Sequence, residues 1–186
     1  MGRLEAYADR LIAWNARIGL VGRDTVPDLW RRHILDCAQL YPLIDHPERP
    51  LLDFGSGAGL PGIVLAILGA ADVHVVESNQ RKAVFLREAA RAAGVGVTVH
   101  AARIEALQGF AAGTVTARAL APVARLLDYA CAFLAAETQC LFLKGARVED
   151  ELTEARKSWR MGVDRYPSIS DPAGVILRIR EIRRAE

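Results

Sequence analysis

The sequence predicts an α/β fold: a mainly parallel seven-stranded sheet with a C-terminal antiparallel hairpin and an N-terminal helical extension. Three observations predict it. From Leu51 onward, apolar strands alternate with helical patterns, as in a parallel sheet covered on both faces. One stretch, Asp53-Phe54-Gly55-Ser56-Gly57-Ala58-Gly59-Leu60-Pro61-Gly62, concentrates glycine between an apolar strand and an apolar run of helix length. A strand, a Gly-rich turn and a helix N-terminus together make a nucleotide-sized cradle. Finally, Val163–Tyr166 and Val175–Arg180 are too close in sequence for a crossover, so they should pair antiparallel.

Taken in order, Leu4, Tyr7, Ala8, Leu11 and Ile12 fall at helical spacing and predict an amphipathic N-terminal helix. Trp14 to Gly22 reads as irregular, and Asp28 as the N-cap of a second helix from Leu29 to about Leu40. Prolines at 42, 47 and 50 punctuate the join to the main unit. Strands are expected at Leu51–Phe54, Val73–Glu77, Val97–Ala101, Thr114–Ala119 and Gln139–Lys144. Helices are expected at Gly62–Leu68, Gln80–Ala93, Arg103–Gln108, Val123–Leu134 and Val148–Trp159. The whole reads as a single domain, with residues 1–46 as the extension and 50–186 as a Rossmann-like core.

Composition narrows the classes. A chain of 186 residues that is 52% hydrophobic supports one α/β domain and is too short for two substantial ones. No window approaches the roughly 18 uninterrupted apolar residues of a membrane span, and the N-terminus lacks the pattern of a secretory signal. A cytoplasmic protein with no membrane partner is expected. Cys37, Cys131 and Cys140 are odd in number and lack C-x-x-C spacing, which indicates neither a disulfide framework nor a zinc site. His46, His74 and His100 show no metal-ligand spacing with one another, so no metal is expected. The net charge is only +2, but three of the 24 basic residues are lysines, which leaves 21 arginines. Arginine grips phosphate bidentately and stacks on bases, which suits RNA; a genome-wide compositional bias explains the ratio equally well.

The cradle admits two cofactors. Asp53 closes the first strand two residues before the glycines, and Glu77 closes the second, where it can accept hydrogen bonds from both hydroxyls of a ribose. A carboxylate at Asp53 suits the positive methionine end of S-adenosylmethionine, directly or through water, and repels a pyrophosphate. The rival is NAD: Gly57-Ala58-Gly59-Leu60-Pro61-Gly62 fits G-x-G-x-x-G, and Glu77 lies 20 residues after Gly57. The acidic residues and the terminal hairpin favour S-adenosylmethionine and a class I methyltransferase sheet. Glycine-rich turns alone do not decide it.

Several segments together resemble the RsmG (GidB) family of bacterial small-subunit rRNA methyltransferases. They are Arg32-His33-Ile34-Leu35-Asp36, the Gly-rich segment from Asp53 to Gly62, Val76-Glu77-Ser78, and Lys82 with Phe85-Leu86. Ala102-Arg103-Ile104-Glu105, Ala117-Arg118-Ala119 and Leu143-Lys144-Gly145 continue the series. The resemblance implies S-adenosylmethionine-dependent methylation of N7 of one guanine in the decoding-region loop of 16S rRNA. The expected partner is therefore 16S rRNA or the small ribosomal subunit, and a monomer is expected. Carried over by position, cofactor contacts fall on Gly55, Leu60, Ile104, Glu105 and Arg118, beside Asp53, Gly57, Gly59 and Glu77 from the motif itself. The chain departs from the family at Cys37, where serine is usual, and at Ile104, where alanine is.

Guanine N7 carries a lone pair and loses no proton on methylation, so no general base is required. Alignment of N7 with methyl and sulfur is the main demand. Three residues are expected to serve catalysis. Arg118 ends the fourth strand at the active edge, Lys144 ends the fifth, and His33 follows Arg31 and Arg32 on the second helix, with Asp36 on the same helical face. Two alternatives remain at this level: methylation of a small molecule or protein, and a non-catalytic nucleotide-binding or assembly module.

Overall fold

A computed structural model describes residues 2–185 of the chain. Its strands are β1 (Leu51–Phe54), β2 (Val73–Val76), β3 (Val97–His100), β4 (Thr114–Arg118), β5 (Gln139–Lys144), β6 (Trp159–Pro167) and β7 (Val175–Arg184). They form one seven-stranded sheet in the order β3-β2-β1-β4-β5-β7-β6. The first five pair in parallel, and β7 runs antiparallel between β5 and β6. This is the mainly parallel sheet with a terminal hairpin that the alternating pattern predicts. Strand order reverses between β1 and β4, which places a ligand crevice at their carboxyl ends.

Alternation along the strands divides the core into two layers. Leu52, Phe54, Val115, Cys140 and Phe142 point to α5 (Val123–Ala130) and α6 (Val148–Ala155). Leu51, Val75, Leu141 and Leu143 point to α3 (Gly62–Leu68) and α4 (Gln80–Ala93). Each fully buried side chain of this size contributes about 1.5–3 kcal/mol. Helix α4 starts where Asn79 Oδ1 accepts from the amides of Arg81 and Lys82, at 2.9 and 3.3 Å, and ends at Gly94 in the left-handed region.

The N-terminal helix, α1 (Arg3–Ile18), lies across α4 and buries Tyr7 and Leu11 completely. It outruns the expectation of an irregular Trp14–Gly22. Asn15 explains the difference: its Oδ1 accepts from the amides of Leu20 and Val21, at 2.6 and 2.8 Å, while Gly19 at φ 59° closes the helix. The second helix also departs from expectation. It is a 3₁₀ turn (Arg23–Asp28), a π-helical turn (Trp30–Leu35) and a short α2 (Asp36–Ala38). Asp28 is no N-cap, because its carboxylate takes the Arg31 guanidinium instead.

Other boundaries shift for local reasons. Only a single 3₁₀ turn, Ile104–Ala106, stands where a helix over 103–108 is expected, since only Ile104 and Leu107 there are partly covered by the core. The helix expected to run to Leu134 stops at Ala130 and continues as a 3₁₀ turn. Helix α6 stops at Ala155, not Trp159, because the Trp159 ring is buried at the start of β6 beneath the Arg184 guanidinium, 4.1 Å from its centroid. Both hairpin strands consequently run longer than the segments predicted.

Candidate active site

The Gly-rich turn between β1 and α3 is held from below by Asp53. Its side chain is fully buried, with Oδ1 accepting from Thr116 Oγ1 at 2.8 Å and Oδ2 from the Gly62 amide at 3.2 Å. Burial pushes the carboxyl up to about 6, and these hydrogen bonds oppose a further rise. Gly62 has to be glycine: a Cβ there would meet Val75 at 2.6 Å and Asp53 Oδ2 at 2.9 Å. The sequence reading puts Asp53 against the methionine end of a cofactor. In the structure the enclosed side chain braces the turn through both of its oxygens.

Glu77, just beyond β2, faces the same turn from above. Its Oε2 accepts from the Gly57 amide at 3.0 Å and its Oε1 from the Asn79 amide at 2.7 Å. Gly57, at φ 52°, would place a Cβ in open space beside the Gly55 carbonyl, so a ligand can approach the backbone there. Each carboxylate oxygen keeps a second lone pair, enough for the two hydroxyls of a ribose. The turn thus fits the adenosine and methionine of S-adenosylmethionine. It fits NAD poorly. The first amide of α3 already belongs to the Asp53 carboxylate, and Gly57 N–H to Glu77, so the donors a pyrophosphate needs are taken by anions.

The remaining expected contacts divide. Gly55 and Gly59 lie in the turn at φ 61° and 83°. Leu60 belongs to the turn by its backbone, while its side chain is buried in the α3–α4 layer. Ile104 packs on the opposite layer, and Glu105 is exposed and pairs with Arg125 at 3.4 Å.

Beyond β4 the chain enters the left-handed region at Ala119, φ 52°, a costly conformation for a residue with a Cβ. The result is that Leu120 leans over Gly55, so close that a Cβ on Gly55 would lie 2.6 Å from a Leu120 methyl. Arg118, two residues earlier, lines a second space, a cleft of about 810 Å³ shared with Arg31, Arg32, His33, Lys144 and Arg147.

Arg118 organises that cleft. Its guanidinium donates to Asp36 Oδ2 at 3.0 Å, to the Arg32 carbonyl at 3.2 Å and to His33 Nδ1 at 2.8 Å. Arginine has no lone pair to offer, so His33 Nδ1 is the acceptor and its proton sits on Nε2. Nε2 then donates to Thr25 Oγ1 at 2.7 Å, and that hydroxyl donates to the Gly22 carbonyl at 2.7 Å. Burial, with Arg118 beside it, pushes His33 down to about 4, so the ring is neutral at physiological pH. Asp36 Oδ1 also accepts from Ser170 Oγ at 2.5 Å, in the turn between β6 and β7. One network therefore joins the extension, β4 and the hairpin.

Lys144 is committed elsewhere. Its Nζ lies 2.6 Å from Glu151 Oε2 and donates to the Ala121 carbonyl at 3.0 Å, so it ties β5 to the start of α5. Of the three residues expected to be catalytic, Arg118 and His33 touch each other and Lys144 lines the same cleft behind its ion pair. The sequence reading missed Tyr7, Thr25, Thr116, Leu120 and Ser170. Only Thr116 left a signal: it sits on β4 directly across from Asp53 on β1, with its side chain on the same face. Among the described residues, no group of three His, Cys, Asp or Glu side chains is placed to hold a metal ion. No helix among them is long and apolar enough to cross a membrane.

A sheet of this order, with an acidic cradle at its switch point, defines a Rossmann-like S-adenosylmethionine-dependent methyltransferase fold. Residues 1–172 match the GidB family, rRNA small subunit methyltransferase G, and the chain belongs to that family. It is 56% identical over 182 residues to the ribosomal RNA small subunit methyltransferase G of Paramagnetospirillum magneticum, covering 98% of this chain and 89% of that one. It is also 56% identical over 183 residues to the protein of the same name from Rhodospirillum rubrum, covering 98% and 91%. Solved structures share the fold at low identity. A ribosomal protein L11 methylase from Lactobacillus delbrueckii subsp. bulgaricus superposes with a TM-score of 0.62 at 18% identity, over 81% of this chain and 77% of that one. A mutant of MtNAS in complex with S-adenosylmethionine gives 0.65 at 19%, over 95% and 70%.

Proposed function

We propose that the chain works as one methyltransferase unit, residues 1–46 forming an extension on a core of residues 50–186; Met1 and Glu186 lie outside the described residues. The protein transfers a methyl group from S-adenosylmethionine to N7 of a guanine in the decoding-region loop of 16S rRNA, as a monomer in the cytoplasm. The observation that carries this reading is the turn after β4. It contributes Leu120 to the rim of the acidic cradle and Arg118 to the basic cleft, so donor and acceptor spaces meet within three residues.

When bound, S-adenosylmethionine supplies an electrophilic methyl on a positively charged sulfur. The chain's residues bind and orient. Glu77 takes the ribose hydroxyls, and the turn from Gly55 through Gly57 and Gly59 to Leu60 gives backbone contact, with Asp53 fixing its shape. Ile104 and Glu105 border the adenine side. Arg118 holds the guanine edge so that N7 lines up with the methyl. His33 and Lys144 are positioning residues here, one orienting Arg118 and the other the end of β5.

Beside Arg118 the cleft offers no free base, and its one carboxylate without an ion pair, Asp171, stands on the hairpin side. His33 has both ring nitrogens engaged, Asp36 is paired with Arg118, and Glu151 with Lys144. This supports N7 as the acceptor, since that nitrogen attacks through its lone pair and sheds no proton. The test is radiolabel transfer from S-adenosylmethionine to 16S rRNA lacking its methylations, followed by N7-specific cleavage chemistry. Label lost at one guanine is the expected result; tight NADH binding without methyl transfer would overturn the reading.

A further inference from the structure

Five cations line the cleft, Arg31, Arg32, Arg118, Lys144 and Arg147, against three carboxylates, Asp36, Glu151 and Asp171. The cations are not equivalent. Arg118 is held by Asp36, and Lys144 by Glu151. Arg31 reaches the Asp28 carboxylate and the Ser170 carbonyl. Arg32 and Arg147 are exposed, and among the described residues neither guanidinium has an ion-pair or hydrogen-bond partner. They come from different elements, Arg32 from the π-helical turn and Arg147 from the turn between β5 and α6.

A phosphate approaching Arg118 would have to draw it away from a largely buried carboxylate, whereas an unpartnered guanidinium on the rim gives up nothing but water. The Asp171 carboxylate, which accepts from the Ala173 amide, adds a repulsive point at the hairpin side and steers an anion toward the other two walls. The cleft volume, about 810 Å³, is within the range that takes ligands the size of a nucleotide.

We propose that Arg32 and Arg147 grip backbone phosphates of the RNA strand whose guanine enters the cleft, one on each side of the target nucleotide. The inference rests on the rRNA reading above. Arg118 and Lys144 stay in their ion pairs, Arg118 acting inside the cleft on the base and Lys144 holding the end of β5. A natural control lies at the far end of the hairpin. Lys144, Val175 and Pro167 are neighbours at the cleft end of the β5-β7-β6 ladder, and Arg160 pairs with Arg183 at the other. Those two arginines are also exposed, and their removal changes net charge by the same amount.

The test compares Arg32→Ala/Arg147→Ala with Arg160→Ala/Arg183→Ala, measuring binding to unmethylated 16S rRNA across a salt series and the kinetics of methyl transfer. Loss of a phosphate contact lowers the slope of log affinity against log salt by about 0.7 for single-stranded RNA. The cleft pair should therefore lower it by about 1.4. KM for RNA should rise roughly tenfold or more, with KM for S-adenosylmethionine unchanged, and the far-end pair should leave slope and KM as in the wild type. If the cleft variant keeps the wild-type slope and KM, or the far-end variant loses as much, the inference is overturned while wild-type methyl transfer still supports the function. If the wild type itself transfers no methyl to rRNA, both fall together.

Discussion

The Tyr7 hydroxyl, fully buried in α1, donates to the Ala58 carbonyl in the Gly-rich turn at 2.7 Å, across 51 positions of sequence. The N-terminal helix is thereby a strut under the cradle as well as a cover for α4. A buried carbonyl without its donor costs on the order of 1–3 kcal/mol. Tyr7→Phe keeps the ring and removes only this bond. It should weaken S-adenosylmethionine binding about fivefold and lower stability by about 1 kcal/mol. Titration calorimetry and denaturant unfolding check both; unchanged affinity with reduced stability would confine Tyr7 to packing.

Asp53 separates charge from hydrogen bonding. Asp53→Ala orphans Thr116 and the Gly62 amide and should reduce cofactor affinity more than about tenfold in a protein that still folds. An asparagine can accept from Gly62 N–H through its oxygen and donate to Thr116 Oγ1 through its amide, so Asp53→Asn should recover to within about threefold of wild type. If asparagine binds as weakly as alanine, the carboxylate charge itself matters to the cofactor.

Gly62→Ala pushes a methyl against Val75 and Asp53. Overpacking of this kind costs about 2–3 kcal/mol. A fall in the urea midpoint is expected, and an unchanged midpoint would show that β2 can yield.

Arg118→Ala should lose methyl transfer by at least roughly a hundredfold while losing less, in free energy, of fold stability. Arg118→Lys keeps the charge, but a single ammonium cannot span Asp36, His33 and the Arg32 carbonyl in the same geometry, so it should rescue only partly. Single-turnover rates beside thermal unfolding decide it; full activity in the alanine variant would remove Arg118 from the site.

His33 gives the network a pH dependence. Its folded pKa, about 4, lies below the ordinary 6.5, so the unfolded chain binds the proton more readily. Stability from this group is fully present above pH 6.5 and declines as the pH falls toward 4. Asp53 acts with the opposite sign: raised to about 6 from 3.8, it opposes folding as the pH rises through that window. Comparing wild type with His33→Gln cancels the Asp53 contribution. Between pH 6.5 and 4.5 the wild type should lose more stability than the variant, by on the order of 1 kcal/mol; parallel profiles would contradict a buried neutral histidine.

The sheet was legible because its signal is local. Runs buried on both faces in Leu51–Phe54 and Gln139–Lys144, and glycines with a carboxylate at a strand end, are written in neighbouring residues. The supports of the site were not legible. Tyr7 is one apolar position among several on an amphipathic helix, and nothing nearby in sequence names Ala58 as its partner. The acidic residue at 53 reads from the motif alone as facing a ligand, and only the fold reveals that Thr116 on β4 and the Gly62 amide also donate to it. Trp159 reads as a helix end until the Arg184 strand arrives to cover it. Where a side chain answers to a partner on another element, spacing carries no information.

One consequence of the strand order concerns the time at which the protein becomes whole. β7 is made after β6, yet it lies between β6 and β5. As the chain leaves the ribosome, β6 therefore emerges with no neighbour to join, and β5 waits with an open edge. Only when residues 175–184 arrive can both be paired, in one step that also buries Leu177 and Ile179. Ser170, which completes the Arg118–Asp36 network, is set by the same hairpin. The cleft around Arg118 is thus completed only once β7 has been made, whereas the cradle residues from Asp53 to Glu77 leave the ribosome well before it.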